Sequence, residues 1–374
     1  MSNVVVGARA IRQYEVDGRR TAAMADWLVY GAYGYTGRLI STEAVSRGLS
    51  PVVAGRDPDR LASLADDLGL VSWSFDLDGD LASRVGEFDA VLNCAGPFVD
   101  TSGPLVAACL EAGTDYLDVT GEPAVFARLA GRDDEASAAG VTLLPGVGFE
   151  VVVADCLAAT LAARHPQATE LAIGISKTGS FSGGTLRTVI RLLGDGGLVR
   201  RDDRLLRVPA ADDVRQFDFG DGPTSTVAAP LGSVVTTAYS TNVETVGIYV
   251  DLPEIFARIA PLVAPLEAIF RLGPVERGLE CVVTGLVDGP DEREREDGEV
   301  VVVAEVTGGE RTERARLRSP ETYTLTADAA ASAVERTLAG DATAGFQTPA
   351  TAFGPDFVTR LEGVDVEFES AGRR

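Results

Sequence analysis

The sequence predicts an α/β protein that begins with a doubly wound parallel sheet and continues into an α+β domain with a mixed or antiparallel sheet. From residue 27 to residue 147, short apolar runs alternate with helical patterns, which is typical of parallel strands joined by helices. A turn with three glycines follows the first of these runs. After about residue 150 the apolar runs become longer, and fewer helical patterns separate them.

Six strands are predicted in the first part of the chain. Each is a short apolar run between turn residues, and the six runs are 27–30, 51–55, 71–75, 89–94, 116–119 and 141–144. Between them, Asp57 and Pro58 begin the second helical pattern, and Gly140 ends the last one. Six strands in this rhythm are typical of a complete nucleotide-binding domain.

The second part of the chain predicts longer strands, over 170–176, 243–250, 280–287 and 299–307. The charged segment 288–298 separates the last two and is expected to be a solvated loop. A helical pattern covers 327–338, and a short amphipathic segment follows at 353–361.

These patterns divide the chain into four segments. Residues 1–24 are expected to be a disordered extension or a misassigned start, and residues 25–150 to be the nucleotide-binding domain. Residues 151–325 are expected to form an α+β domain for substrate and dimerisation. Residues 326–374 are expected to pack back on the first domain.

Composition argues against several classes of function. Acidic residues outnumber basic residues 56 to 33, for a formal net charge of -23, so the surface repels nucleic acid and anionic lipid. The cysteines are scattered without a CxxC pair and the chain has one histidine, so no disulfide framework or metal site is predicted. Charged residues and prolines interrupt the longest apolar stretch, 255–272, so membrane insertion is not expected. These features indicate a reduced, cytoplasmic protein.

The sequence GAYGYTG at 31–37 lies between the first strand and the first helix. Gly31 permits a tight turn, Gly34 lets backbone amides approach a pyrophosphate, and Gly37 permits close packing of the helix. The positive end of the helix dipole favours the same anion. We therefore predict a Rossmann-type dinucleotide site, with a loop that serves packing alone as the alternative. The other residues of this turn that are expected to contact the cofactor are Ala32, Tyr35 and Thr36.

The end of the second strand favours NADP over NAD. An NAD site usually places a carboxylate there, against the ribose hydroxyls, whereas this sequence has Arg56. A guanidinium can pair with the 2′-phosphate of NADP through two hydrogen bonds. The competing carboxylate, Asp57, precedes Pro58 and is interpreted as a helix cap. Arg60 either assists Arg56 or lies in solvent.

Further cofactor contacts are expected where the third and fourth strands end. Asp76, after the third strand, is expected either to meet the adenine or to cap a turn. Cys94 is interpreted as a small core residue rather than a nucleophile, because no histidine lies near it in the sequence. The fourth strand is followed by the cofactor-contacting run Cys94, Ala95, Gly96 and Pro97.

The candidate catalytic residues are Asp118, Glu122 and Lys177. The two carboxyl groups follow the fifth strand, at the edge where the substrate cleft is expected. Lys177 follows the first strand of the second domain, and an exposed loop lysine is the alternative interpretation. General acid-base chemistry requires such a group, because His165 lies in a polar turn and no other histidine is present.

Several longer motifs occur along the chain, and they are GAYGYTGRL, AGR, NCAGPF, ACLEAGTDYLDVTGE, PGVGFE, SGGTLRT and GFQTPATAFG. Together they resemble the saccharopine dehydrogenase-like oxidoreductase family, especially its branch with trans-acting enoyl reductases. The resemblance implies an NADP-type Rossmann domain, a second domain with the substrate cleft, and a C-terminal segment that packs on the first domain. It also implies a homodimer as one candidate assembly.

The expected function is NADP-dependent hydride transfer to a hydrophobic, lipid-like carbonyl or enoyl substrate. Phe98, Phe149 and Phe181 near the expected cleft favour such a small molecule. A saccharopine or amino-acid dehydrogenase is one alternative, although its substrate would require a basic cluster where this chain has Asp118 and Glu122. An NADP-binding sensor or structural protein without turnover is another. Peripheral membrane attachment through 255–272 is a further option.

Overall fold

The computed structural model describes residues 26–178, 196–209, 212–251 and 292–371, with two short paired strands near the N-terminus. These are β1 (Glu15–Val16) and β2 (Arg19–Arg20), which are antiparallel. The rest of the predicted extension 1–24 lies outside the described residues. So do Phe181, the SGGTLRT motif, the apolar stretch 255–272 and the predicted strand 280–287.

The first large sheet contains seven strands, all parallel. Six of them match the predicted strands within one residue at each end, and they are β3 (Trp27–Tyr30), β4 (Val52–Gly55), β5 (Val71–Ser74), β6 (Ala90–Asn93), β7 (Asp115–Asp118) and β8 (Thr142–Leu144). Their order is β5-β4-β3-β6-β7-β8. The direction of winding changes between β3 and β6, and ligands bind at the carboxyl ends of strands at such a point. The predicted fold class is confirmed.

Helices cover both faces of this sheet, because alternate side chains of each strand point to opposite sides. Trp27 and Val29 of β3 belong to one buried cluster, with residues of α1, α2 and α7. Leu28 and Tyr30 belong to the other, with residues of α3 to α6. The helices are α1 (Tyr35–Ser46), α2 (Pro58–Leu68), α3 (Leu81–Val85), α4 (Phe98–Ala112), α5 (Pro123–Ala130), α6 (Asp133–Ala139) and α7 (Phe149–Arg164).

The second large sheet is mixed, as predicted. Its main path is β11-β10-β14-β9-β15-β16-β18, and a further pair, β12 and β13, joins it at β14. β9 and β14 are parallel, and the other neighbours are antiparallel. The strands are β9 (Glu170–Thr178), β10 (Gly197–Arg201), β11 (Arg204–Val208), β12 (Val214–Asp218), β13 (Pro223–Ala228), β14 (Thr245–Asp251), β15 (Glu299–Gly308), β16 (Arg311–Pro320) and β18 (Asp365–Ala371).

One buried cluster continues from the first sheet to the second. It contains Val29 of β3, Val153 and Leu157 of α7, and Ile173 of β9. α8 (Ser233–Thr241) and α10 (Thr322–Leu338) contribute to the same cluster. α7 therefore packs against both sheets, and its N-terminus lies at the carboxyl edge of the first.

The C-terminal segment contributes to both sheets. β17 (Gly345–Phe346) pairs with β8 as the seventh parallel strand, whereas β18 pairs with β16 in the second sheet. α10 begins five residues before the predicted start, because the Glu321 side chain caps it by accepting a hydrogen bond from the Tyr323 amide at 2.6 Å. The segment predicted as a charged loop contains a short helix, α9 (Glu292–Asp297), and α11 (Pro349–Phe353) follows β17.

Arg47, at the end of α1, joins this helix to α10. Its guanidinium donates to Asp328 Oδ1 at 2.5 Å and to Glu335 Oε2 at 3.1 Å. Asp328 is 14% exposed, and its second oxygen accepts from the Glu362 amide at 2.7 Å. Burial acts to lower the pKa of Arg47, but the hydrogen-bonded carboxylates outweigh it and raise that pKa. A partly buried ion network thus holds the C-terminal segment against α1.

We expect the Arg47→Ala substitution to lower the free energy of unfolding by about 2 to 3 kcal/mol, because it leaves a mostly buried carboxylate without its partner. Arg38→Ala on the same helix is the matched control. The Arg38 ion pair with Asp67 is about half exposed, with side chains 52% and 51% accessible, so its loss should cost less than about 1 kcal/mol. Urea unfolding of both variants measures the difference, and equal losses would contradict this account.

Candidate functional site

Several helices begin at the carboxyl edge of the parallel sheet, among them α1, α4 and α7, and the first amides of a helix have no partners inside it. In α4, the amides of Phe98 and Val99 donate to the two carboxylate oxygens of Glu122, at 3.1 and 2.9 Å. In α7, the Phe149 amide donates to Thr326 Oγ1 at 3.0 Å. In α1, no side chain of the described residues caps the N-terminus, and its first turn contains no acidic residue. The positive end of α1 is therefore left for an external anion.

The glycine turn before α1 lies directly against the turn that follows β6. Gly31 has a φ of 79°, and a Cβ built on it would lie 2.7 Å from the amide nitrogen of Ala95. A Cβ built on Gly37 would lie 2.5 Å from the carbonyl oxygen of Gly31. No side chain fits at either position, so the backbone itself forms the floor of the site. The residues present fit a dinucleotide pyrophosphate at the start of α1.

The other predicted residues of this turn lie in different environments. Ala32 is fully buried and its amide donates to Ala54 O at 3.1 Å, so this residue ties the turn to β4. Thr36 is partly exposed. The exposed ring of Tyr35 makes an edge contact with Tyr323 at 4.9 Å between ring centres, and its hydroxyl accepts from Arg295 at 2.9 Å. The segment predicted to be solvated therefore reaches the mouth of the cofactor site.

The two arginines after β4 differ in their contacts. Arg60 lies over the Tyr33 ring, 4.5 Å from its centre, and donates to Tyr33 O at 3.2 Å. A Cβ built on Gly55 would lie 2.6 Å from the same ring, so Tyr33 is held between Gly55 and Arg60. Arg56 is exposed, and no hydrogen bond or ion pair of its guanidinium is present among the described residues. The Arg56 guanidinium is therefore available to an external group, whereas Arg60 positions Tyr33.

Asp57 caps α2, because its side chain accepts from the amides of Asp59 and Arg60, both at 3.1 Å. This contact confirms its interpretation as a helix cap. Asp76 is exposed after β5, and its carboxylate accepts from the Leu77 amide at 2.8 Å. Asp76 therefore caps its own turn, which was one of its two expected roles.

A buried asparagine that sequence reasoning missed shapes the turn after β6. Asn93 Oδ1 accepts from the Ala95 amide at 3.0 Å, and Nδ2 donates to Thr101 Oγ1 and to the Tyr116 hydroxyl at 3.1 and 3.2 Å. Burial raises the pKa of the neighbouring Cys94 thiol, which keeps it protonated and supports its interpretation as a small core residue. Gly96 and Pro97, which follow Ala95 in this turn, are exposed.

Asp118, predicted as a catalytic residue, joins the turns after β7 and β8. It is fully buried, and Oδ1 accepts from the amides of Thr120 and Gly146, both at 2.9 Å, while Oδ2 accepts from the Tyr116 hydroxyl at 2.8 Å. Burial raises the pKa of Asp118 to about 6, although these hydrogen bonds oppose the shift. This geometry favours a positioning role, because both oxygens already accept hydrogen bonds from within the protein.

The other two predicted catalytic residues also have partners within the protein. Glu122 uses both oxygens to cap α4, which favours a positioning role for it as well. The Lys177 ammonium donates to Thr322 Oγ1 at 3.3 Å, beside the N-terminus of α10. Desolvation lowers the pKa of Lys177, and the charge of Glu321 opposes this effect. Lys177 lies in β9 and contacts the start of α10, and no contact between it and Asp118 or Glu122 is present among the described residues.

Sequence reasoning missed Glu150, in the first turn of α7. Its Oε1 accepts from the Ser233 amide at 3.2 Å and from the Ser233 hydroxyl. Its Oε2 is buried and has no hydrogen-bond partner among the described residues. Burial raises the pKa of Glu150 to about 7. The available signal in the sequence was an acidic residue two positions after Gly148, in the turn that follows the sixth strand.

No cluster of three or more histidine, cysteine or acidic side chains suited to a metal ion occurs within the described ranges. In the same ranges, every helix is too short or too polar to span a bilayer.

Comparison with known families gives a match for the first domain. Residues 27–144 match the family model described as the saccharopine dehydrogenase NADP binding domain. This match confirms the predicted NADP cofactor for the first domain, in agreement with the uncapped α1 and the glycine turn.

Curated relatives confirm the predicted resemblance. A trans-acting enoyl reductase of Mycobacterium leprae is 33% identical over 141 residues, which are 35% of this chain and 34% of that protein. A saccharopine dehydrogenase-like oxidoreductase of Bos taurus is 27% identical over 150 residues, 34% of this chain and 35% of that protein. The chain spans less than half the length of the curated relatives that it matches.

A solved structure shares the fold of both domains. Apo saccharopine dehydrogenase (L-Glu forming) from Saccharomyces cerevisiae superposes with a TM-score of 0.66. The match covers 92% of this chain and 99% of that chain at 14% sequence identity. The architecture of a parallel sheet followed by a mixed sheet therefore extends well beyond the NADP-binding domain.

We expect Arg56→Ala to raise the dissociation constant of NADPH by about 10-fold to 100-fold, because it removes charge-assisted hydrogen bonds to the 2′-phosphate. The dissociation constant of NADH should change by less than about twofold, since NADH lacks that phosphate. Nucleotide fluorescence titrations measure both constants. Arg60→Ala is the control, and it should change the two constants by similar factors. Equal effects of Arg56→Ala on the two nucleotides would contradict the assignment.

Proposed function

We propose that the protein is an NADP-dependent reductase that acts on a carbonyl or alkene of a hydrophobic small molecule. The observation that carries this proposal is the set of polar groups where the parallel strands end. Asp118, Glu122 and Glu150 are carboxyl groups that lie on or against the β7 turn. An edge of this kind disfavours substrates with several carboxylates and suits a neutral reacting group.

Three cations near the starts of α4, α10 and α1 are hydrogen-bonded within the described part of the protein. Arg128 donates to Val99 O at 3.0 Å, Lys177 donates to Thr322, and Arg295 donates to Tyr35. A saccharopine-type substrate would have to break such contacts to neutralise its carboxylates. This arrangement supports a reductase of neutral substrates over an amino-acid dehydrogenase.

Apolar side chains at the start of α4 support the hydrophobic class of substrate. Val99 is 43% exposed and Phe98 is half-buried beside it. Phe149, which was expected to face the cleft, is 5% exposed and packs in the core instead, because the helix that it begins is buried between the two sheets. The relatives named trans-acting enoyl reductases support an enoyl group as the reactive part of the substrate.

Each part of the site has a distinct task in this reaction. NADPH supplies the hydride when it is bound. The amides at the start of α1 would hold the pyrophosphate, and Arg56 would hold the 2′-phosphate. Asn93 fixes the turn that carries Gly96 and Pro97, and Glu122 fixes the start of α4 next to it. These residues bind and orient the reactants, which accounts for much of the rate enhancement in hydride-transfer enzymes.

A substrate panel tests this function. We expect purified protein to oxidise NADPH in the presence of a medium-chain 2-enoyl thioester or a hydrophobic ketone, as measured by the loss of NADPH absorbance. Saccharopine with NADP is the comparison substrate, and it should give no reduction of NADP. Turnover of saccharopine alone would favour the amino-acid dehydrogenase alternative. Thermal stabilisation by NADPH without oxidation by any substrate would favour a sensor or structural protein.

A further inference from the structure

Glu150 occupies an unusual position where α7, α8 and the β7 turn meet. Gly232, which precedes α8, packs against the β7 turn so closely that a Cβ built on it would lie 3.1 Å from the carbonyl carbon of Gly121. Ser233 is fully buried, and its amide and hydroxyl both donate to Glu150 Oε1. One oxygen of this carboxyl group is therefore fixed by the start of α8.

The second oxygen lies beside Gly121. Outside the chain neighbours of Gly121, Glu150 Oε2 is the one atom of the described residues within 4 Å of a Cβ built on this glycine, at 3.5 Å. Oε2 is buried and has no hydrogen-bond partner among the described residues. A buried oxygen without a partner costs free energy, so such a group calls for a structural or functional explanation.

Gly121 lies close in the chain to the residues that are expected to surround the reacting groups. Gly121 immediately precedes Glu122, whose carboxylate holds the amides of Phe98 and Val99. Those residues follow the Gly96 and Pro97 turn, which is exposed at the crevice where β3 and β6 end. The β7 turn, through Gly121 and Glu122, therefore connects Glu150 Oε2 with the start of α4.

We propose that Glu150 is the catalytic proton donor of this site, and that it delivers its proton past Gly121 to the substrate atom that gains negative charge during reduction. The inference rests on the proposed reductase function. It assigns a catalytic role to a residue other than Asp118, Glu122 and Lys177.

Bound NADPH would supply a hydride to one carbon of the acceptor, and the π electron pair of the carbonyl or of the conjugated enoyl group would move to the atom that is then protonated. The O–H bond of Glu150 breaks, its proton bonds to that atom, and its electron pair stays on the carboxylate. Solvent then returns a proton to Glu150. Ser233 stabilises the carboxylate that forms, through its two hydrogen bonds to Oε1.

The electrostatic environment supports this role. Burial raises the pKa of Glu150 to about 7, and the hydrogen bonds from Ser233 limit the shift. Asp118 and Glu122 on the β7 turn are hydrogen-bonded within the protein, as are Asp155 on α7 and Glu321 at the start of α10. A folded-state pKa near neutrality keeps Glu150 partly protonated at pH 7. The reactive form is present at lower pH and is lost as the pH rises through about 7.

Two substitutions test the proposal by different routes. Glu150→Gln keeps the shape of the side chain but has no proton to give, and it should lower NADPH oxidation by about 100-fold or more. Gly121→Ala puts a methyl group in front of Oε2 at van der Waals distance, and it should lower the rate by about 10-fold while Glu150 is retained. The dissociation constant of NADPH, measured by fluorescence, should change by less than about twofold in both variants, because neither residue contacts the cofactor phosphates.

Asp155→Asn is the matched control. Asp155 is also a buried carboxyl group of α7 that accepts from a serine of α8, Ser240 at 2.6 Å, but its other oxygen accepts from the Ala350 amide. Its replacement should leave the rate of the folded protein within about threefold of wild type. This control separates loss of a proton donor from loss of any buried carboxyl group at the contact between α7 and α8.

Infrared spectroscopy of the protein without substrate gives a readout besides activity. The wild-type spectrum minus the Glu150→Gln spectrum should contain a protonated carboxyl band that disappears as the pH rises through about 7. Burial also raises the pKa of Asp118 and Asp155 to about 6, and their bands cancel in this difference because both proteins retain them. Absence of the band from the difference spectrum would overturn the proposal, as would turnover within about threefold of wild type in Glu150→Gln. A wild type that binds NADPH but reduces no acceptor would overturn the reductase function, and the donor role with it.

Discussion

The cofactor site depends on how the helix N-termini at the carboxyl edge of the parallel sheet obtain hydrogen-bond acceptors. α4 and α7 obtain them from side chains of the protein, which are Glu122 and Thr326. α1 has no such side chain among the described residues, and its glycine turn brings the backbone close to the place where an anion would lie. The uncapped start of α1, beside the glycine turn, thus has an electrostatic preference for a phosphate.

The carboxyl groups near the same edge divide according to how many of their oxygens are used. Asp118 and Glu122 have partners on both oxygens and hold turns and helix starts in place. Within the described part of the chain, Glu150 has partners on Oε1 alone, and its Oε2 lies beside a glycine. In a buried environment this difference separates a group that shapes the site from a group available for chemistry.

Local patterns predicted the part of the fold that local interactions determine. The six parallel strands and the cap at Asp57 follow from short-range signals, and so do the glycines at the start of α1. The two-residue strand β17 has no pattern of its own and exists because it pairs with β8, some 200 residues earlier. The contact of Glu122 with α4 and that of Glu150 with Ser233 likewise join distant segments, which propensity and spacing do not encode.

Hydrogen exchange measured by mass spectrometry, with and without NADPH, tests the central claim that α1 supplies the free helix start. Binding should slow amide exchange most strongly over residues 31–38 and 94–98, where the glycine turn meets the turn after β6. Residues 149–153, at the start of the already capped α7, should change little. Protection confined to the second sheet, or protection of the α7 start without protection of the α1 start, would contradict this account.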